Sequence, residues 1–461
     1  MRNGIRFGLL ALGLSTVVSG CDLTGPKLSD NPNDPSAASN VSLLSAAQAN
    51  LWVQSEADLA RTVCVWMQQC SGRQSQYVGV GNYSTIADGD FWYQYYAATY
   101  GGGGLIDLRR IQSSSLQAGD SNFAGVAAVM EVWLVGTAAD IWGDVPYSQA
   151  ATSVTNPVLD PQQQVYDHLQ AKLDSAIAFL SDTGGRNIGP KGAELVYGGD
   201  DSLWIRMAET LKARYFMHVA ERIPAAYDSA LFHAQRGIRQ GQDYNNYHTS
   251  VLTSSNIWFQ FFTTAALNYV AAGQYLVDQL KNTSDPRLRK YYSGTPVDTS
   301  VFAGGLPDGS DGLTAGTISS LSATRLAPDF QQPLVTWAET QLIIAEANYS
   351  KATSNEAAAR TALNNVLATV PMPPVGGGVT GPALLNAIMT EKYIQLFQTI
   401  EVWSDYRRTC LPTMVAFPTG YTRLPRRLPY PLQERNANTS IPDAGPDPFT
   451  GGNWNDPNPC P

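Results

Sequence analysis

The residues best placed to do chemistry in this chain are one cysteine near its start and a set of aromatic rings in polar loops. Cys21 ends the run Leu14-Ser15-Thr16-Val17-Val18-Ser19-Gly20-Cys21. Arg2 and Arg6 precede a short apolar stretch, Phe7 to Val18, and Ser19-Gly20 puts small residues just before the thiol. These are the charged start, apolar middle and small-residue cut site of an export signal. The apolar run is shorter than the roughly 20 residues that cross a bilayer. Val18-Ser19-Gly20-Cys21 fits a bacterial lipobox, in which the thiol is acylated and becomes the first residue of the mature chain. Residues 1–20 are therefore expected to be a signal peptide, with Cys21 the lipid attachment.

The other four cysteines are Cys64, Cys70, Cys410 and Cys460, an even number that suits an oxidising compartment. Cys64 and Cys70 could bridge at a helix end, and Cys460 could staple the tail to Cys410; other pairings stay open. No histidine stands at ligand spacing from them, so no zinc site is expected. Gly119-Asp120-Ser121 has the letters of an esterase start, but a polar stretch precedes it rather than a buried strand. Gly101 to Gly104 lacks the Lys-Ser or Lys-Thr that completes a phosphate loop. Asp308-Gly309-Ser310-Asp311-Gly312 offers oxygens to calcium but lacks the later Glu of an EF-hand, so it reads as a turn. No catalytic residue, metal or cofactor is expected, and the chain reads as a non-enzyme.

The candidate ligand contacts are aromatics in polar surroundings. Tyr77, Asn82 and Tyr83 lie between the first two expected helices, and Trp92 follows them. Trp258, Tyr291, Tyr292 and Phe302 lie in a long central region rich in Gly, Ser, Thr and Asp. Neutral sugars present flat CH faces to rings and hydroxyls to Asn, Asp, Gln and Arg. The competing reading of each ring is that it anchors its own loop by half burial.

Composition narrows the class of partner. Formal net charge is −9, and −11 once residues 1–20 are removed. An acidic chain without a basic run excludes nucleic acid and a polybasic membrane face. With 461 residues and 44% hydrophobic content, a large core is within reach.

These residues must be held by helices. Residues 21–40 carry Pro26, Pro32 and Pro35 among polar residues and read as an extended tether. Residues 41–461 read as a single, mostly α domain with a loop-rich insert at about 241–332. The apolar periodicity predicts helices in pairs: Val41 to Gln68 with Phe91 to Gln112, Phe123 to Ile141 with Gln162 to Leu180, Ser202 to Glu221 with Ala225 to Gly237, and Leu334 to Tyr349 with Asn355 to Val370. A long last helix is predicted from Ala383 to Tyr406. Pairs of this size suggest a TPR-like α-α superhelix carrying a loop-rich binding region, although no strict 34-residue repeat is visible.

Several strings stand in a telling order. They are Ala139-Asp140-Ile141-Trp142-Gly143-Asp144-Val145-Pro146-Tyr147, Trp204 with Leu211-Lys212-Ala213-Arg214-Tyr215, Asp285-Pro286-Arg287-Leu288, and Trp337-Ala338-Glu339 leading to Ala345-Glu346-Ala347. After them come Glu391-Lys392, Trp403-Ser404-Asp405-Tyr406-Arg407-Arg408 and Arg426-Arg427-Leu428-Pro429-Tyr430-Pro431. Read bottom-up, Trp403, Asp405, Arg407 and Arg408 form a structural ion-pair cluster, with arginine forks suited to carboxylates such as Glu391 or Asp405. Behind a lipobox, the ordered set resembles the SusD/RagB family of outer-membrane nutrient-binding lipoproteins. The resemblance implies a helical lipoprotein on the cell exterior that works with a SusC-like TonB-dependent transporter and captures oligosaccharides, or sometimes peptides. The alternative is a TPR-type structural or assembly lipoprotein whose scaffold binds protein or peptide rather than glycan.

Overall fold

A computed structural model describes residues 38–86, 92, 95–96, 102–184, 186, 188–263, 268–414, 417–442, 447–457 and 460. The expected export signal, Cys21 and nearly all of the expected tether lie outside these residues.

The chain is mostly helical. Helices α1 (Asn40–Glu56), α2 (Asp58–Trp66) and α3 (Gln76–Gly81) open it. A stack follows: α4 (Leu105–Gln117), α5 (Ser121–Trp142), α6 (Gln162–Leu180), α7 (Asp201–Val219) and α8 (Ala226–Ala234), each packed on the next. Short polar side chains start these helices by accepting free backbone N–H groups. Asp120 accepts from Phe123 N at 3.1 Å, which is what the Gly119-Asp120-Ser121 string does here. Asp200 accepts from Ser202 N and Leu203 N.

Helix α5 is long and apolar enough to cross a membrane, yet nearly all of it is buried within the domain. Its small residues explain why. A Cβ added at Gly136 would lie 2.2 Å from the Tyr215 ring, and one at Gly125 would lie 2.7 Å from Leu180. The glycines let α6 and α7 close directly onto α5.

The stack continues past the insert. Helix α8 packs on α12 (Trp337–Ser350), which packs on α13 (Glu356–Thr369) and α14 (Pro382–Gln395). Ala345, Ala359 and Ala362 let this last pair approach around Leu342, Leu363, Val366 and Ile388. The residues between α8 and α12 therefore interrupt a continuous helical wall. They contain α9 (Ile257–Thr263), α10 (Gln274–Asn282) and α11 (Arg287–Tyr291). Two small antiparallel sheets tie them down. Strand β1 (Cys70–Gly72) pairs with β3 (Val270–Ala272), and β2 (Tyr244–Asn245) pairs with β4 (Pro333–Val335).

Four helix boundaries differ from the periodicity. The expected helix Phe91 to Gln112 is broken at Gly102 and Gly103, whose φ values are 92° and 90°, and α4 starts only at Leu105. The first expected helix breaks at Ala57. There Glu56 turns inward to His248, at 2.8 Å, while Asp58 turns to Arg61 and Tyr77. The last expected helix breaks between Gln395 and Glu401, where α15 (Glu401–Thr409) begins. Gln398 adopts a φ of 64°, and its freed N–H goes to Gln69 Oε1 at 3.2 Å. Leu334 lies in β4 rather than in α12, which starts after the Thr336 cap.

Buried ion networks lock the wall together. Arg408 (α15) donates to Glu346 (α12) and to Asp405, and Lys392 (α14) bridges the same two acids at 3.0 and 2.9 Å. Arg287 joins Asp285 to Glu391. Arg407 binds Asp140 at the end of α5. The cluster at Trp403 to Arg408 is thus structural, with Glu391 serving Arg287 rather than the α15 arginines. Disulfides join Cys64 to Cys70 and Cys410 to Cys460.

Candidate functional site

The candidate site forms where the insert meets the first helices. The Cys64–Cys70 disulfide fixes the point at which the chain leaves α2 and enters β1. Beyond the β1–β3 ladder, Arg73 N donates to Tyr269 O at 2.8 Å, Gly72 N to Pro307 O at 2.9 Å, and Ser71 Oγ to Leu306 O at 2.5 Å. Helix α3 presses on the same loop: a Cβ at Gly81 would sit 1.9 Å from Pro307 O. Only glycine permits that approach.

This frame encloses an open cavity of about 430 Å³. Gln74, Asn268, Thr314, Ser319 and Ser320 supply uncharged polar groups, and Pro296, Leu313 and Ile318 supply apolar ones. Among the described residues, Arg73 is the one charged residue in the wall. Its Nη1 donates to both Asp311 oxygens, at 2.8 and 2.7 Å, and its Nη2 donates to Leu313 O. Partial burial alone would push the Asp311 carboxyl up. Arg73, with the N–H groups of Leu313 and Leu306, outweighs it and holds the carboxyl below its usual range. The cation is thereby neutralised and acts as a strut. A cavity of this size, with uncharged hydrogen-bonding groups beside apolar surface, suits a neutral polyhydroxyl ligand. Among the described residues, no histidine or carboxylate lines it.

None of the rings singled out from sequence lines this cavity. Tyr77, Tyr83, Trp92, Trp258, Tyr291, Tyr292 and Phe302 are between 1% and 6% exposed, so none presents an open face to a sugar in this conformation. The physical reason is that loops without regular structure need their own apolar anchors. Tyr77 OH takes a hydrogen bond from Arg61 Nε at 2.7 Å and donates to Asp58 at 2.9 Å, while its ring meets Phe261. Tyr292 OH donates to Gln69 O at 2.6 Å, and Tyr291 OH donates to Ile394 O at 3.0 Å. Tyr291 also stacks on Phe397 with ring centroids 4.4 Å apart. Trp258 lies under the Arg61 guanidinium. Phe302 lies under that of Arg289. Trp92 packs between Trp142 and Tyr430. Tyr83 packs on Trp66, Tyr421 and Phe449. Asn82 is half-buried and accepts from Ser84 N. Tyr77 and Tyr292 thus brace the cavity frame, whereas Trp92 serves the helical wall.

Sequence reasoning passed over Arg73, Gln74, Asn268 and Thr314. One available signal was the 308–312 turn, whose Asp311 captures Arg73 across 238 positions. Among the described residues no group of three or more histidine, cysteine, aspartate or glutamate side chains could hold a metal ion.

The comparisons with known proteins bear on the fold and the family. Solved structures share the fold. A SusD/RagB family protein from Bacteroides thetaiotaomicron has a TM-score of 0.76 at 19% identity, covering 91% of this chain and 99% of that one. A chitin-binding SusD homolog from Flavobacterium johnsoniae has a TM-score of 0.74 at 18% identity, covering 90% and 99%. A SusD homolog from Bacteroides uniformis has a TM-score of 0.74 at 17% identity, also covering 90% and 99%. No curated protein matches the sequence. The profile of the SusD-like family, described as starch-binding and associating with the outer membrane, matches residues 32–431. That span includes the helical wall, the insert and the Arg73 frame, and the chain belongs to the SusD-like family.

Proposed function

We propose that this protein is a surface lipoprotein that captures a neutral oligosaccharide in the Arg73 cavity and passes it to a SusC-like TonB-dependent transporter. The observation that carries the reading is the 430 Å³ cavity itself, whose wall pairs uncharged hydrogen-bonding groups with apolar surface and neutralises its one cation. Family membership supports glycan capture at the outer membrane, and a solved relative of the same fold carries the description chitin-binding. The lipobox at Cys21 supports attachment by lipid, with the tether leaving the domain free to face the cell exterior. The protein acts by binding and transfer rather than by turnover.

Calorimetric titration of the mature protein with malto- and chito-oligosaccharides tests the site. Gln74 and Asn268 are exposed at the cavity and hold no part of the core. Replacing both by Ala should weaken binding about tenfold, the loss of two ordinary hydrogen bonds. Unchanged affinity in the double variant would remove the cavity from consideration. Affinity purification through a C-terminal tag, from cells expressing the full chain, should recover a large TonB-dependent barrel. Its absence would refute the transfer step.

A further inference from the structure

The geometry points to a second binding site, for a saccharide bearing a carboxylate or sulfate group, in the cleft between the end of α10, helix α11 and the 300–302 loop. This cleft holds about 570 Å³ and is lined by Lys281, Ser284, Arg289, Val301 and Phe302 among others. A monosaccharide or disaccharide unit fits such a volume.

Where the Arg73 cavity is neutral, this cleft is cationic. Lys281 Nζ donates to Phe302 O at 3.2 Å, which leaves two of its donors. The Arg289 guanidinium carbon lies 5.0 Å from the centre of the Phe302 ring. The ring supports the guanidinium and competes for none of its edge N–H groups. Both cations are exposed, and neither has an ion pair among the described residues. The one acid in the wall is Asp285. It is buried and accepts hydrogen bonds from Arg287 at 2.6, 3.0 and 3.1 Å, so it neutralises nothing in the cleft. Asp298, two residues before Ser300, accepts from the Ser300 hydroxyl and N–H. The cleft thus offers two uncompensated cations in a chain with 39 acidic and 30 basic residues.

A carboxylate or sulfate matches this pair. Arg289 can present two parallel N–H groups to an oxyanion while Lys281 adds a point charge. Sugar hydroxyls find Ser284, and Val301 supplies apolar contact. The neutral cavity and this cleft are separate sites with different selectivity.

Titration of the mature protein with trigalacturonate and with its fully methyl-esterified form tests the proposal. The acid should bind at least about tenfold more tightly than the ester at low salt, and the preference should shrink as salt rises. The double variant Lys281→Gln, Arg289→Gln should lose the preference while keeping the wild-type melting temperature and its affinity for neutral oligosaccharide. Sulfated disaccharide should compete with trigalacturonate. The proposal is overturned if acid and ester bind equally, if neither binds at millimolar concentration, or if the double variant retains the preference. None of these outcomes depends on neutral binding at the Arg73 cavity, so the two readings fail separately.

Discussion

Replacing Arg408 by Met probes what holds the helical wall together. Arg408 sits in a four-member network with Glu346, Asp405 and Lys392, whose side chains are between 1% and 5% exposed. Two acids face two bases, so the buried charge is balanced. Burial alone would push the Asp405 carboxyl up, but Lys392 and Arg408 outweigh it and hold it down to about 2. Met fills much of the arginine volume, so the substitution chiefly removes charge and hydrogen bonds. It leaves two carboxylates with Lys392 as their one cation. Breaking a buried pair from one side costs about 3–5 kcal/mol, because the orphaned charge stays desolvated. At about 2.1 cal/mol/K per residue, a domain of roughly 420 residues that melts as one unit has an unfolding entropy near 0.9 kcal/mol/K. The melting temperature should therefore fall by about 3–6 °C. The double variant Arg408→Met, Glu346→Met restores the balance, since Lys392 and Asp405 remain as a pair. It should recover about 2 kcal/mol or more relative to Arg408→Met alone. The assay is calorimetric or denaturant unfolding of the oxidised mature protein. The penalty of the single variant should also shrink as pH falls toward 4. There the orphaned carboxylate takes up a proton, while the wild type begins to lose its own carboxylate contribution. A double variant no more stable than the single one would refute the charge-balance argument and leave packing as the cause.

Three other outcomes are expected. Burial disfavours the His218 imidazolium, but Glu401, at 2.7 Å, and Asp140 outweigh it and raise its pKa. The stability it adds is then complete below the unfolded value of about 6.5 and is lost as pH rises through the folded value. The stability gap between wild type and His218→Gln, measured by denaturant midpoint, should narrow from pH 6 to pH 9; a constant gap would contradict this sign. Gly81→Ala drives a Cβ into Pro307 O and should cost about 1–3 kcal/mol. It should also weaken neutral oligosaccharide binding, because the displaced loop carries Asp311; normal stability with normal binding would show that the loop yields freely. Cys21→Ser should leave solution binding intact yet release the protein from membranes and stop uptake, read by fractionation and by growth on the glycan. Persistent uptake would reject the anchoring role.

The helices were legible in the sequence because each buries a stripe or a whole surface, and that leaves a period in the residues. Gln162–Leu180 shows it plainly, with Val165, Leu169, Leu173, Ala176 and Leu180 buried along one face. The break at Gln398 was not legible. There the apolar pattern continues across the break, while a distant polar side chain takes the freed N–H. Gln69 does this for Gln398 N and also donates to Tyr393 O at 2.8 Å, from more than 300 positions away. Periodicity counts what is apolar and has no access to such partners. The rings misled for a related reason. A ring in a polar loop has the same composition whether it faces a ligand or pins the loop, and Tyr77 and Tyr292 pin.

The position of the insert explains why the site itself could not be read locally. Helices α8 and α12 touch directly, so the wall is continuous across the insert. The insert is held to the wall through Arg287 on Glu391 and Tyr291 on Ile394, and to the start of the chain through β1 and β3, through Tyr292 on Gln69, and through Arg73 on Asp311. One wall of the cavity therefore comes from residues 73–74 and the other from residues 268–320. Neither segment carries a motif alone, because the chemistry arises only when the two meet. The same division separates the energetics. The Arg408 network bolts α12, α14 and α15 to one another, and no member of it lines the cavity. Changes there should alter stability and leave affinity alone, whereas changes at Gln74 or Asn268 should do the reverse. A scaffold that is stabilised in one place and binds in another can change the ligand through the insert without refolding the wall.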